Sequence, residues 1–207
     1  MKKLIVMTAD LDIENAVKGL LTRSKSLGIN DISLKDDVDF VRHSNRDSGC
    51  YMHAAEFLRY AVGKYEHALV MFDREGCGNE SDEVSLLTAK VEGELNVSGW
   101  KSSATVVLDP ELESWVWSLS PFVEEELGWK GSVPTLREWL MTKGFLKKEA
   151  IKPHRPKEAL EAALREKRKP RSPRIYLNLA RRVSLAHCSD KSFSKFKRIM
   201  AEWFPPT

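Results

Sequence analysis

The chain has 207 residues, 42% of them hydrophobic and 30% charged. That balance excludes a disordered chain and, with no apolar run long enough to cross a bilayer, a helical membrane protein. The net charge of +3 conceals an asymmetry, because residues 143–200 hold 18 Lys and Arg against 5 Asp and Glu, leaving 15 against 25 for the rest. An acidic body with a basic tail piece suits a polyanionic partner, or a basic subdomain docked on its own acidic body. The opening MKKLIVMTADLD is too short in its apolar stretch for a leader peptide, so the expected location is the cytoplasm. Cys50, Cys77 and Cys188 are odd in number and widely spaced, which argues for free thiols rather than disulfides or a zinc cluster.

Taken in order, KKLIVMTA is a first strand. DIENAVKGLLTRSKSLG places Ile13, Val17, Leu20, Leu21 and Leu27 at helical spacing and stops at Gly28. DISLKDDVDFVRH alternates and is β-branched, a second strand with an irregular middle, and MHAAEFLRYAVGKY reads as helix through Ala55, Leu58, Val62 and Tyr65. HALVMFD is the third strand. GNESDEVSLLTAKVEGELNVSG is a helix with Ser81 as its expected cap, and SSATVVLD the fourth strand. Strands separated by helices predict a mostly parallel sheet, an α/β fold over residues 1–118.

After Pro110 the pattern turns helical. ELESWVWSLSPFVEEELGW is one helix or two short ones, PTLREWLMTKGFL another, and three further segments are punctuated by Pro153, Pro156, Pro170 and Pro173. Residues 119–207 therefore read as a helical basic subdomain. The six tryptophans include Trp115 and Trp139 in amphipathic helices, where core packing is the expectation, although stacking on nucleic-acid bases is the alternative.

Three strand exits are acidic: Asp10, Asp12 and Glu14 after the first, Asp73 and Glu75 after the third, Asp109, Glu111 and Glu113 after the fourth. Ligands of open parallel sheets bind at this carboxyl edge. Two like charges about 4 Å apart repel by about 4 kcal/mol even at an effective dielectric near 20, so converging carboxylates call for a counter-ion. Mg²⁺ or Mn²⁺ is the usual one, taking oxygen ligands in octahedral geometry. Taken singly, each acid serves equally as a helix cap or first-turn residue.

This pattern resembles the Toprim fold, with Asp10 where that family usually carries Glu, and Asp73-x-Glu75 on its D-x-D position. PELESW is similar to the P-E-x-E-x-W segment of small Toprim-like proteins of bacterial defence loci. A wider resemblance runs through ADLDIENAVKGLLTRSKSLGI, FDREGCG, LDPELESWVWS, PKEAL, PRS, VSLAHCSDKSF and the ending WFP, to a component of a methylation-associated antiphage system. It implies a place in phage defence among sibling proteins, and no particular reaction. The Toprim resemblance implies Mg²⁺-dependent phosphoryl transfer on nucleic acid or nucleotide, with Asp10, Asp73, Glu75 and Glu113 as metal ligands.

His43 follows the second strand, where it could act as general base beside metal-bound water, contact phosphate, or cap the loop. With Asp47, Cys50 and His53 it also forms a conceivable, irregularly spaced zinc set. Lys152, Lys157, Arg171 and Ser172 are candidate phosphate contacts, since KRKPRSPR is broken by prolines and cannot be one helical face. Cys188 precedes a helix cap at Ser189 or Asp190, and neither GxSxG nor a P-loop is present. A non-catalytic sensor or scaffold subunit, and a nucleotide-binding sensor without turnover, are the competing expectations.

Overall fold

The computed structural model describes residues 1–185, 188 and 190–206. Four strands, β1 (Lys2–Thr8), β2 (Val38–Arg42), β3 (Tyr65–Asp73) and β4 (Ser103–Leu108), form one all-parallel sheet in the order β2-β1-β3-β4. The centre is apolar because β1 and β3 carry runs such as Leu4–Met7 and Ala68–Phe72, buried on both faces as parallel strands require. Register pairs Thr8 with Met71 and Asp73 with Leu108, so the carboxyl ends of β1, β3 and β4 come out side by side.

The flanking helices follow the sequence periodicity with instructive shifts. The helix expected up to Gly28 divides into α1 (Leu11–Leu21) and α2 (Ser24–Leu27), Gly28 ending the second in the left-handed conformation that glycine adopts without strain. At the break, Arg23 donates to the carbonyls of Ala180 and Val183, a contact that fixes the turn from far along the chain. Next, α3 (Arg46–Phe57) starts ahead of the expected span and is followed by a 3-10 turn at Arg59–Ala61. Ser81 is not the cap of α4 (Val84–Val97), whose N-cap position is held by Glu83.

Beyond β4 come α5 (Glu113–Val116), α6 (Pro121–Leu127), α7 (Leu136–Thr142), α8 (Pro156–Glu166), α9 (Pro173–Arg182) and α10 (Lys191–Trp203). Proline opens α6, α8 and α9, where its missing N–H would be unpaired in any case. Asp190 caps α10, while Ser189 lies outside the described residues. These helices share one continuous core with the sheet. α1 packs closely against α9: a Cβ on Gly19 would stand 2.6 Å from Ala180 Cβ and 2.7 Å from the Leu177 carbonyl oxygen. Trp117 and Trp129 are buried and donate to the carbonyls of Pro156 and Ala163; Trp139 is buried and Trp115 packs on Phe193. No helix among the described residues is long and apolar enough to cross a membrane.

Candidate functional site

The carboxyl edge gathers acids from four places. Asp10 follows β1 and caps α1, its Oδ1 accepting from the N–H groups of Asp12 and Ile13, both at 3.0 Å. Asp47, in the first turn of α3, accepts the Asp73 N–H at 2.8 Å, and Asp73 in turn accepts the Leu112 N–H at 2.9 Å. Three carboxylates are thus held in place by main-chain donors. Asp73 keeps some solvent contact, yet its carboxyl is closely surrounded by protein. Burial, and then the charges of Asp47, Glu113 and Asp10, push its pKa well above the usual carboxylate range. Burial and the charge of Asp10 raise Asp47 as well.

A second group lies alongside. Glu113, 1% exposed, accepts from Arg171 at 2.8 Å and from the Tyr176 hydroxyl at 2.6 Å. Arg171 also reaches Asp12 at 2.9 Å and Glu161 at 3.0 Å. Glu111, 3% exposed, accepts the Lys157 N–H at 2.8 Å through Oε1; its Oε2 accepts no hydrogen bond from the described residues and stands 3.5 Å from Lys157 Nζ. Burial, then the neighbouring Glu113, push the Glu111 carboxyl up to about 7.

The sequence-predicted residues therefore divide. Asp10, Asp73 and Glu113 come within mutual electrostatic reach, whereas Glu75 is exposed and faces Glu111 instead. Among the described residues His43 pairs with no carboxylate: its Nδ1 accepts from Asn45 N–H, its ring meets His53 and Phe57, and it lies against Gly49, where a Cβ would be 1.9 Å from Nδ1. Of the four expected phosphate contacts, Lys152 pairs with Asp190, Lys157 with Glu111, and Arg171 with Asp12, Glu113 and Glu161. Ser172 occupies the N-cap position of α9 without a capping hydrogen bond. Lys157 and Arg171 thus dock on the acidic body, while Lys152 pairs within the tail piece itself.

Asp47 and Glu111 belong to this edge more firmly than Glu75 does. Both were visible in the sequence, Glu111 by its spacing from Glu113 and Asp47 by its place after the second strand, but Asp47 was grouped with His43, Cys50 and His53, whereas the start of α3 sets it against Asp73 instead.

All the donors here are hard oxygens, the chemistry that suits Mg²⁺ or Mn²⁺. As they stand, however, no three His, Cys, Asp or Glu side chains among the described residues are arranged to hold a metal ion, and this applies equally to His43, Asp47, Cys50 and His53. The acids form an electrostatic cluster rather than a finished coordination shell. Compared with known families, curated proteins and solved structures, the chain matches no family model, no curated protein and no solved structure.

Proposed function

We propose that the chain is a Toprim-like component of bacterial antiphage defence, working in the cytoplasm with sibling defence proteins. Its acidic edge acts on phosphate groups of nucleic acid with the help of Mg²⁺ or Mn²⁺. One observation carries the reading: Asp10, Asp47 and Asp73 are crowded at the sheet's carboxyl edge, oriented by main-chain N–H groups, and none of the three forms an ion pair among the described residues. A bound cation would supply the missing positive charge and polarise a phosphoryl oxygen. The chain's own part is to aim the carboxylates and to keep Glu113 and Glu111 neutralised through Arg171 and Lys157. The helical basic subdomain is then a structural clamp, and its remaining cations, such as Arg165, Arg168 and Arg174, face the polyanion.

The test is calorimetric titration of Mn²⁺ into wild type and Asp73→Asn, followed by a nuclease assay on both. Binding by wild type that drops at least tenfold in the variant supports the reading. No heat from either protein sinks it.

A second reading is favoured by a separate observation: Arg171 already provides a cation for Asp12, Glu113 and Glu161. Under it the acidic edge is a self-neutralised relic, and the chain is a non-catalytic sensor or scaffold whose surfaces meet sibling subunits. Absence of Mn²⁺ binding together with stable assembly on sibling proteins selects this reading.

A further inference from the structure

A cavity of about 520 Å³ opens between α1, the segment from α5 into α6, α9 and the start of α10. That volume falls within the roughly 300–1,000 Å³ of small-molecule sites. Its interior is apolar, with Leu20, Val116, Leu179 and Phe193 all nearly fully buried. Leu119 and Ile151 belong to the same lining and are 71% and 53% exposed, so apolar surface continues outward to solvent at the mouth.

The charged side chains of the lining share one sign. Lys152 and Arg182 contribute to it, and no Asp or Glu does among the described residues. Their partner carboxylates, Asp190 and Glu125, lie outside the lining. The Arg182 guanidinium is further steadied over the Phe122 ring at 4.2 Å, which places a preordered cation at an apolar wall. Two other wall residues are tied to the acidic edge: the Leu112 N–H donates to Asp73 and the Tyr176 hydroxyl to Glu113.

We propose that this cavity binds a small amphipathic anion, with an apolar aromatic or acyl body in the interior and a single carboxylate, phosphate or sulfonate head toward Arg182 and Lys152. An apolar body fits because most of the described lining is apolar side chain, against which a buried polar group without a partner is costly. The single anionic head fits the sign of the lining. Leu112 and Tyr176 are shared by the cavity wall and the acidic edge, so the site adjoins that edge without using its carboxylates.

The full chain can be titrated with two fluorescent probes that differ only in the head group, 8-anilinonaphthalene-1-sulfonate and the neutral N-phenyl-1-naphthylamine. The expected result is saturable binding of one sulfonate probe per chain. Leu179→Trp, which fills the interior, should abolish binding of both probes. Leu119→Asp alters an exposed position, leaves folding intact, and should weaken the sulfonate probe more than the neutral one. Arg182→Gln should weaken the sulfonate probe about tenfold and leave the neutral probe within about twofold. Asp73→Asn should bind both as wild type does, which keeps the result separate from any cation at the acidic edge. Absence of saturable binding overturns the proposal. So does binding that survives both Leu119→Asp and Leu179→Trp, or an equal response of the two probes to Arg182→Gln.

Discussion

Two halves of one acidic edge solve the same electrostatic problem differently. Just beyond β1, at the start of α3 and at the end of β3, Asp10, Asp47 and Asp73 are held by main-chain N–H groups and receive little compensating charge. After β4, Glu111 and Glu113 are more deeply buried, yet each meets a cation, Lys157 of α8 and Arg171 of the loop between α8 and α9. Burying a carboxylate is costly unless it is paired and hydrogen-bonded, so the Glu113–Arg171 pair holds the fold together, while Glu111, pushed up to about 7 by burial and Glu113, is only partly relieved by Lys157. The first half retains unrelieved repulsion, which a purely structural site would have no reason to keep. A residue pair that looks equivalent in sequence, two acids just beyond a strand, thus serves opposite ends according to what the tertiary fold sets beside it.

The largest expected effect comes from removing the cation of the compensated half. Arg171→Met should leave Glu113 buried with only the Tyr176 hydroxyl as partner, and should release Asp12. Breaking a buried pair costs about 3–5 kcal/mol; since the Arg171 side chain is 31% exposed, a loss of about 2–3 kcal/mol is expected. Urea unfolding at pH 7 measures it. Glu113→Gln in the same background should recover much of the loss, because the orphaned charge is then gone. A loss below about 0.5 kcal/mol for Arg171→Met would erase the distinction between the halves.

An intermediate effect is expected from pH. Glu111 has a folded pKa of about 7, above its unfolded value near 4.3, so the folded state holds the proton more tightly. Its contribution to stability is fully present below the unfolded pKa and is lost as pH rises through about 7. Other carboxylates are lowered, among them Asp39 by its hydrogen bonds from Lys2 and Tyr65, and they act in the opposite sense. The difference between wild type and Glu111→Gln isolates the effect. From pH 4.5 to 7.5 wild type should lose about 1.4 kcal/mol or more relative to the variant, the free energy of a tenfold difference in proton affinity between the folded and unfolded states. A flat difference would mean that Lys157 compensates Glu111 fully.

Much of the α/β frame was legible in the sequence. Apolar runs marked β1, β3 and β4, and Gly28, Pro156 and Pro173 marked helix boundaries for local steric reasons. The misjudged features depend on distant partners. The α1–α2 break is fixed by Arg23 reaching Ala180 and Val183, and the first half of the expected second strand turns instead, with Asp37 accepting from the Ser33 N–H. The early start of α3 belongs with the Asp47 bond to the Asp73 N–H. The site was legible to the same depth. Asp10 and Asp73 follow from strand ends, but the docking of Arg171 and Lys157 on Glu113 and Glu111 spans 58 and 46 residues, and no spacing rule reaches that far.

The smallest expected effect is the one of opposite sign. Asp73→Asn keeps an oxygen that can accept the Leu112 N–H, yet removes a charge that Asp47, Glu113 and Asp10 all oppose. The variant should therefore be more stable than wild type at pH 7, by about 1 kcal/mol in urea unfolding. Because the raised pKa means that the folded wild type takes up a proton more readily than the unfolded chain as pH falls, the advantage should shrink as the solution is acidified. The gain should carry a loss of function, since a group kept in a destabilising position is one whose charge is used. A variant that is less stable at pH 7 would place Asp73 with Glu113, among the carboxylates that hold the fold, and the contrast between the two halves of the edge would fail.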